Sequence, residues 1–151
     1  MPDGPPPVSA HFVNNVLAAA ASYIDEEPDL ARDVIAELGQ FLSFRLAPAA
    51  SVSLARELDH VSTYVRLEQA RFPGRIEASL PSSAGLPTVH VAPASVQAPV
   101  ADALGSRLRE VVGPCAMMLT GPGAGTRFEL VLSGPDGAAP THIEIVPEMT
   151  A

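Results

Sequence analysis

Apolar residues recur at helical spacing over the first third of the chain. Phe12, Val16, Ala19 or Ala20 and Tyr23 fall at steps of three and four, which puts them on one stripe of a helix. Ser9 stands where an N-cap is needed, so a helix is predicted from there to about Ile24. Pro2, Pro5, Pro6 and Pro7 form a stiff, non-helical lead ahead of it. Asp25, Glu26 and Glu27 close the helix as a solvated turn, and Pro28 suits the first turn of the next one, where its missing N–H costs little. Leu30, Val34, Leu38, Phe41 and Leu42 carry a second stripe to about Leu46. Two such helices joined by a short turn make an antiparallel hairpin. The hairpin cannot bury both stripes alone, so a second copy is expected to complete a dimeric four-helix bundle.

Pro48, Ala49 and Ala50 interrupt the pattern, and Ser53 then caps a third predicted helix with Leu54, Leu58, Val61 and Val65 on one face, ending near Phe72. Pro73 and Gly74 stop it. Beyond Gly74 the period becomes alternating, as expected for short strands over 75–80 and 88–91. A fourth helix is expected over 93–111, with Pro99 early in it, and further strands over 115–120, 126–132 and 141–146, separated by Gly- and Pro-rich turns at 121–125 and 134–140. The fold class is α+β: a helical hairpin followed by an α/β sandwich of about five strands with at least two helices on one face. The corresponding division is a hairpin domain at 8–47 and a second domain at 51–147.

Composition narrows the function classes. The 151 residues are 47% hydrophobic, which suits a packed core, but only 5% aromatic with no Trp, so the core is built mainly from Ala, Val and Leu. The formal charge is -8, and all nine basic residues are Arg. That balance disfavours nucleic acid as a partner, because phosphates need a concentrated positive surface. Cys115 is the single cysteine, so no internal disulfide forms and no zinc cluster can be drawn; His60, His90 and His142 have no metal-ligand spacing and are expected to be solvated or structural. No metal or cofactor is therefore expected. The first seven residues lack a basic residue and a signal-length apolar run, and no window approaches the roughly 18 apolar residues of a spanning helix. A cytoplasmic location with no membrane association is the expectation.

Four segments, taken in order, resemble the LytS-type sensor histidine kinases, whose core pairs a phosphoacceptor hairpin with an ATPase domain of the Hsp90 and gyrase kind. Ala10-His11-Phe12-Val13-Asn14-Asn15 is similar to the family's Pro-His-Phe-Leu-Phe-Asn. Glu57-Leu58, Tyr64, Glu68 and Arg71-Phe72 stand in the family's order before Arg75. Val91-Ala92-Pro93 followed by the run from Gln97 to Ala103 looks like the family's Ile-Pro-Pro entry and Gln-Pro-Leu-Val-Glu-Asn-Ala helix, and the run from Thr141 to Pro147 resembles the closing strand.

The departures fall on the nucleotide machinery. Where the resemblance implies a magnesium-holding Asn preceded by Glu, this chain has Asp102 preceded by Ala101. Asp can still ligate a hard cation, but it brings negative charge beside a triphosphate. The family's Asp-Asn-Gly turn corresponds to Ser133-Gly134-Pro135, with Asp136-Gly137 a displaced relic, and too few residues follow Leu132 for a lid over the phosphates. The Gly-rich run at 121–125 precedes a strand, and with no Lys after it a hairpin turn is expected in place of a phosphate loop. What remains is a truncated, degenerate ATPase-like domain, similar in layout to that of the sporulation phosphotransferases.

His11 is the residue whose chemistry survives. A neutral imidazole is a competent nucleophile and forms a labile N–P bond suited to exchange with a carboxylate. Asn15, four residues on, shares its helix face and can orient the ring or a phosphoryl oxygen. A single histidine on an exposed helix is most often simply solvated, and an inherited but silent histidine fits as well as a phosphoacceptor. The remaining residues have bland expectations: Cys115 a buried small hydrophobe, Met117 and Met118 core, Arg71 and Arg75 structural partners for carboxylates.

Three functions follow from the resemblance. The first is a phosphorelay protein, a homodimeric histidine phosphotransferase exchanging phosphoryl through His11 with a response-regulator receiver domain, without ATP chemistry of its own. The second is a non-catalytic, pseudokinase-like regulator that binds a kinase or a response regulator. The third, an active ATP-dependent histidine kinase, is disfavoured by the missing nucleotide loops.

Overall fold

A computed structural model describes residues 8–46, 49–135 and 139–150. Asp136 and Gly137 of the displaced turn, Pro48 of the break and the proline-rich lead lie outside the described residues. The first helix, α1, spans Ala10–Tyr23, with the Ser9 hydroxyl accepting from the Phe12 N–H at 3.4 Å. The second, α2, spans Pro28–Leu46, and α3 spans Leu54–Arg71, capped by Ser53 through the Arg56 N–H. Each start coincides with the cap or proline that the sequence offers.

The apolar stripes of α1 and α2 do not wait for a second copy. Val16, Leu38 and Phe41 are buried within this chain, and the half-buried Phe12 packs on the same core, because α3 lies against both helices of the hairpin. The expectation that these residues need a partner surface is corrected by that packing. α3 serves as the central helix, buried almost all the way round from Leu54 to Ala70. Its far side meets α4, which spans Gln97–Glu110, and the sheet.

The strands are fewer in the main sheet than expected. β1 (Val52–Ser53) and β3 (His90–Val91) pair antiparallel as a separate ribbon, Val52 opposite Val91. β2 (Ile76–Ser79), β4 (Cys115–Thr120), β5 (Phe128–Ser133) and β6 (Thr141–Ile145) form a four-stranded sheet in the order β2-β4-β5-β6. β2 runs parallel to β4, and the other neighbours are antiparallel. Segment 88–91 therefore joins the ribbon; both central valines are buried there, and the Leu54 N–H is tied to the Val89 carbonyl at 3.0 Å.

One face of the sheet, through Ile76, Cys115, Met117, Leu119, Phe128, Leu130 and Leu132, is buried under the helices. The strict alternation of β4 puts Met118 on the other face, 47% exposed, so only Met117 of the methionine pair is core. The β4–β5 connection is a hairpin loop over residues 121–127 with a 3-10 turn at Ala124–Thr126, as the glycine-rich run predicts. A Cβ at Gly121, whose φ is +130°, would stand 2.7 Å from the Arg127 carbonyl oxygen, so only glycine fits that turn.

Candidate functional site

His11 is the second residue of α1 and is exposed, in the first turn where backbone N–H groups lack helical partners. No acidic side chain occupies that turn, so the positive end of the helix dipole is free to favour the negative charge a phosphoryl group would bring. Asn15 Nδ2 lies 3.1 Å from His11 Nε2. An amide nitrogen can only donate, so Nε2 accepts and the neutral ring carries its proton on Nδ1. The four-residue spacing thus produces the pairing expected of it.

The residue after His11 fixes the helix start. The Phe12 ring sits 5.3 Å from Phe41 and 5.9 Å from Tyr64, centroid to centroid, with the Arg71 guanidinium 5.6 Å from its centre. Arg71 is held in turn by Glu68 at 2.6 Å. Burial raises the Glu68 carboxyl above its ordinary range, while Arg71 pulls the other way. Burial likewise pushes the Tyr64 hydroxyl up, reinforced by Glu68. At the other end of α1, Tyr23 donates its hydroxyl to the Ala70 carbonyl at 2.6 Å. Arg71 is therefore the carboxylate partner expected of it. Arg75 is not, because its guanidinium donates to the carbonyls of Leu108, Val111 and Gly113, closing the end of α4.

Several functional-looking polar residues escape a sequence reading. Glu57, fully buried, accepts from the backbone N–H groups of Ala94, Val96 and Gln97 at 2.8, 3.0 and 3.0 Å. This carboxylate holds residues 93–96 as a turn, with Ala94 at φ +65°, so α4 begins at Gln97 and Pro99 falls harmlessly in its first turn. Burial raises the Glu57 carboxyl, against the lowering effect of the three N–H groups and Arg45. Arg45, whose own pKa burial lowers, donates to the Gln97 side-chain oxygen at 2.6 Å and so ties α2 to α4.

His60 is only 3% exposed and stacked between Phe41 and Phe44, at 4.7 and 3.9 Å, with neither ring nitrogen in a hydrogen bond. Burial, aided by the Arg45 charge, drives its pKa down to about 3, so it is a neutral structural ring. His90 is exposed, and His142 pairs with Glu129 on the open face of the sheet at 2.9 Å. Cys115 is buried, its thiol pushed up by burial.

Asp102 lies on the exposed side of α4, at a cleft against β5 and β6 that also exposes Glu110 and Ser106. The structure pairs His11 with Asn15, while Asp102 joins neither by a hydrogen bond or ion pair among the described residues and its charge acts instead on Tyr64. β5 ends at Ser133 and β6 begins at Thr141, leaving seven residues, 134–140, between them. Among the described residues, no cluster of three or more His, Cys, Asp or Glu side chains is arranged to hold a metal ion, and no helix is long and apolar enough to cross a membrane.

Comparison with known proteins sets likenesses beside this geometry. Residues 7–76 match the histidine kinase family model. Over 92 residues the chain is 29% identical to the sensor protein LytS of Oceanobacillus iheyensis, covering 60% of this chain and 16% of that protein. It is 28% identical over 99 residues to LytS of Bacillus subtilis, covering 64% of this chain and 17% of that protein. It is 31% identical over 74 residues to the sensor histidine kinase BtsS of Escherichia coli K12, covering 48% and 13%. The chain thus spans less than a fifth of the length of the curated relatives it matches.

Proposed function

We propose, from the match of residues 7–76 to the histidine kinase family model and the likeness to the LytS sensor proteins, that this chain is a phosphorelay protein that exchanges phosphoryl groups at His11 without ATP chemistry of its own. The observation that carries the reading is the exposed His11 ring at the start of α1, with Asn15 Nδ2 3.1 Å from its Nε2. In the forward step the Nε2 lone pair attacks phosphorus of an aspartyl phosphate on a receiver domain. The P–O bond to the carboxylate breaks, the N–P bond forms, and Nδ1 gives its proton to solvent. Asn15 swings from the lone pair to a phosphoryl oxygen as the bond forms. Asp102 in place of the amide and the seven residues between β5 and β6 support the absence of a nucleotide step. In the same proposal residues 8–47 act as the phosphoacceptor unit and 51–147 as a degenerate ATPase-like domain.

Dimerisation, in this proposal, uses the outer face of the hairpin, since α3 covers the inner one. Leu17, Ile35 and Leu46 are 45%, 52% and 74% exposed there and offer a second hairpin an apolar seam for a four-helix bundle. The same exposed seam favours a second reading, a binding regulator of a kinase or response regulator with a silent His11.

The deciding experiment supplies receiver domains phosphorylated on aspartate and follows acid-labile label on this chain. Label on the wild type, none on His11→Gln, and an altered phosphohistidine lifetime in Asn15→Ala are expected. A wild type that stays unlabelled with every receiver domain of its own genome refutes phosphotransfer and leaves the binding regulator.

A further inference from the structure

Two neighbouring residues at the start of α1 have opposite surroundings. His11 is exposed, whereas the half-buried Phe12 packs on the core. The N–H groups in the first turn of a helix lack helical partners, and such a turn frays unless side chains hold it. The place of the His11 ring is therefore only as fixed as that of Phe12. Within the hairpin the hold is limited: Ser9 Oγ accepts the Phe12 N–H at 3.4 Å, and Phe41 stands 5.3 Å from the Phe12 ring. A bond of that length lies beyond the about 2.7–3.2 Å of a good N–H···O pair.

The rest of the hold comes from α3. Tyr64 lies 5.9 Å from the Phe12 ring, and the Arg71 guanidinium stands 5.6 Å from that ring and 4.9 Å from Phe72. One cation thus meets a ring from α1 and a ring from the end of α3, both within cation–π reach. The guanidinium is itself clamped, because Glu68, whose side chain is 4% exposed, takes its Nη1 at 2.6 Å. A charge-assisted bond of that length holds a long side chain to one placement.

We propose that Arg71, clamped by Glu68, is a positioning residue for phosphoryl exchange at His11: through the Phe12 ring it keeps the first turn of α1 formed, and with it the pairing of His11 with Asn15. For its effect on transfer the inference rests on the phosphotransfer reading, but its effect on the His11 ring stands on the geometry of α1 and α3 alone, so the two can fail separately.

Two readouts on the full chain test it. The first is nitrogen NMR of the His11 ring at about pH 8, where an ordinary imidazole is neutral. The wild type is expected as the Nδ1–H tautomer, and Arg71→Leu and Phe12→Leu as mixtures of both tautomers. The second is label transfer from a receiver domain phosphorylated on aspartate, resolved into the saturating rate and the half-saturating receiver concentration. Arg71→Leu should lower the saturating rate about ten-fold at unchanged half-saturation, because orientation is lost and docking is not. Arg71→Lys should recover part of that rate, and Arg71→Leu combined with Phe12→Leu should be no slower than the slower single variant. Glu68→Gln, which leaves the guanidinium but weakens its clamp, should move both readouts the same way to a smaller extent, and carries the test if Arg71→Leu does not fold. Gly121→Ala, strained in the remote β4–β5 loop, should change neither readout while it stays folded, which separates positioning from plain loss of stability. A wild-type tautomer retained in Arg71→Leu, an unchanged saturating rate, no rescue by lysine, or the same changes in Gly121→Ala would each overturn the proposal. So would a rise in half-saturating concentration alone, which would make Arg71 a receiver contact. A wild type that takes no label from any receiver overturns the phosphotransfer reading and the benefit to transfer, while the tautomer readout still decides whether Arg71 holds His11.

Discussion

Replacing His60 by Phe should change how stability depends on pH, because the buried ring must take a proton when the chain unfolds in mild acid. In the folded protein its pKa is about 3, against an ordinary value of 6.5. A histidine depressed on folding leaves the native state full stability above the unfolded pKa, and that stability is lost as pH falls through 6.5 towards about 3. One proton bound only by the unfolded chain costs about 1.4 kcal/mol per pH unit, so the loss reaches ~2.7 kcal/mol by about pH 4.5 and ~5 kcal/mol at its limit. The Glu57 and Glu68 carboxyls, both raised by burial, act in the opposite sense and gain stability as pH falls. They are present in both proteins, so the difference between wild type and His60→Phe isolates the histidine. A phenyl ring suits the slot between Phe41 and Phe44, since neither ring nitrogen of His60 has a hydrogen-bond partner there. Urea unfolding of both proteins between about pH 7 and about pH 4 should give curves that diverge by roughly these amounts, the variant holding its stability. Parallel curves, or a His60 resonance titrating near 6.5 in the folded protein, would refute the assignment of a neutral buried ring.

Glu57→Gln places an amide NH₂ against backbone N–H groups that now share a carboxylate, and should cost ~2–4 kcal/mol in urea unfolding. Gly121→Ala combines a φ of +130° with a Cβ 2.7 Å from the Arg127 carbonyl oxygen, and should lower stability by ~1–3 kcal/mol, read as a drop in melting temperature. Leu38→Asp, a charge in a position now 4% exposed, should unfold the chain as judged by lost helical circular dichroism, whereas a folded but dissociated product would mean that a second copy covers the inner stripe after all.

The helices were legible because each start carries its own local signal: Ser9 and Ser53 as caps, Pro28 in a first turn. The start of α4 was not, since what sets it is Glu57, about forty residues away in sequence and joined only through three backbone N–H groups. Two-residue strands such as β1 and β3 are too short to show a period, so the ribbon was invisible and segment 88–91 was assigned to the sheet. The inner coverage of the hairpin was missed for a different reason. α3 shows a stripe through Leu54, Leu58, Val61 and Val65, but it also buries Glu57, His60 and Glu68 on its other faces, and polar residues give no sign in a sequence that their face is covered. At the candidate site, the spacing of His11 and Asn15 was sufficient to place both on one face.

The position of α3 has a consequence for how the chain can be divided. The hairpin rests on one side of this helix and α4 with the sheet on the other, so the break near residue 48 separates the halves in sequence but not in energy. Either half removed would strip the apolar cover from Val61, Tyr64 or Leu67, and no intermediate with one half intact has anything to replace it. Unfolding is therefore expected as a single cooperative event, with coincident transitions by circular dichroism and Tyr fluorescence, and a hairpin excised before residue 52 loses the floor on which Phe12 rests and with it the fixed presentation of His11.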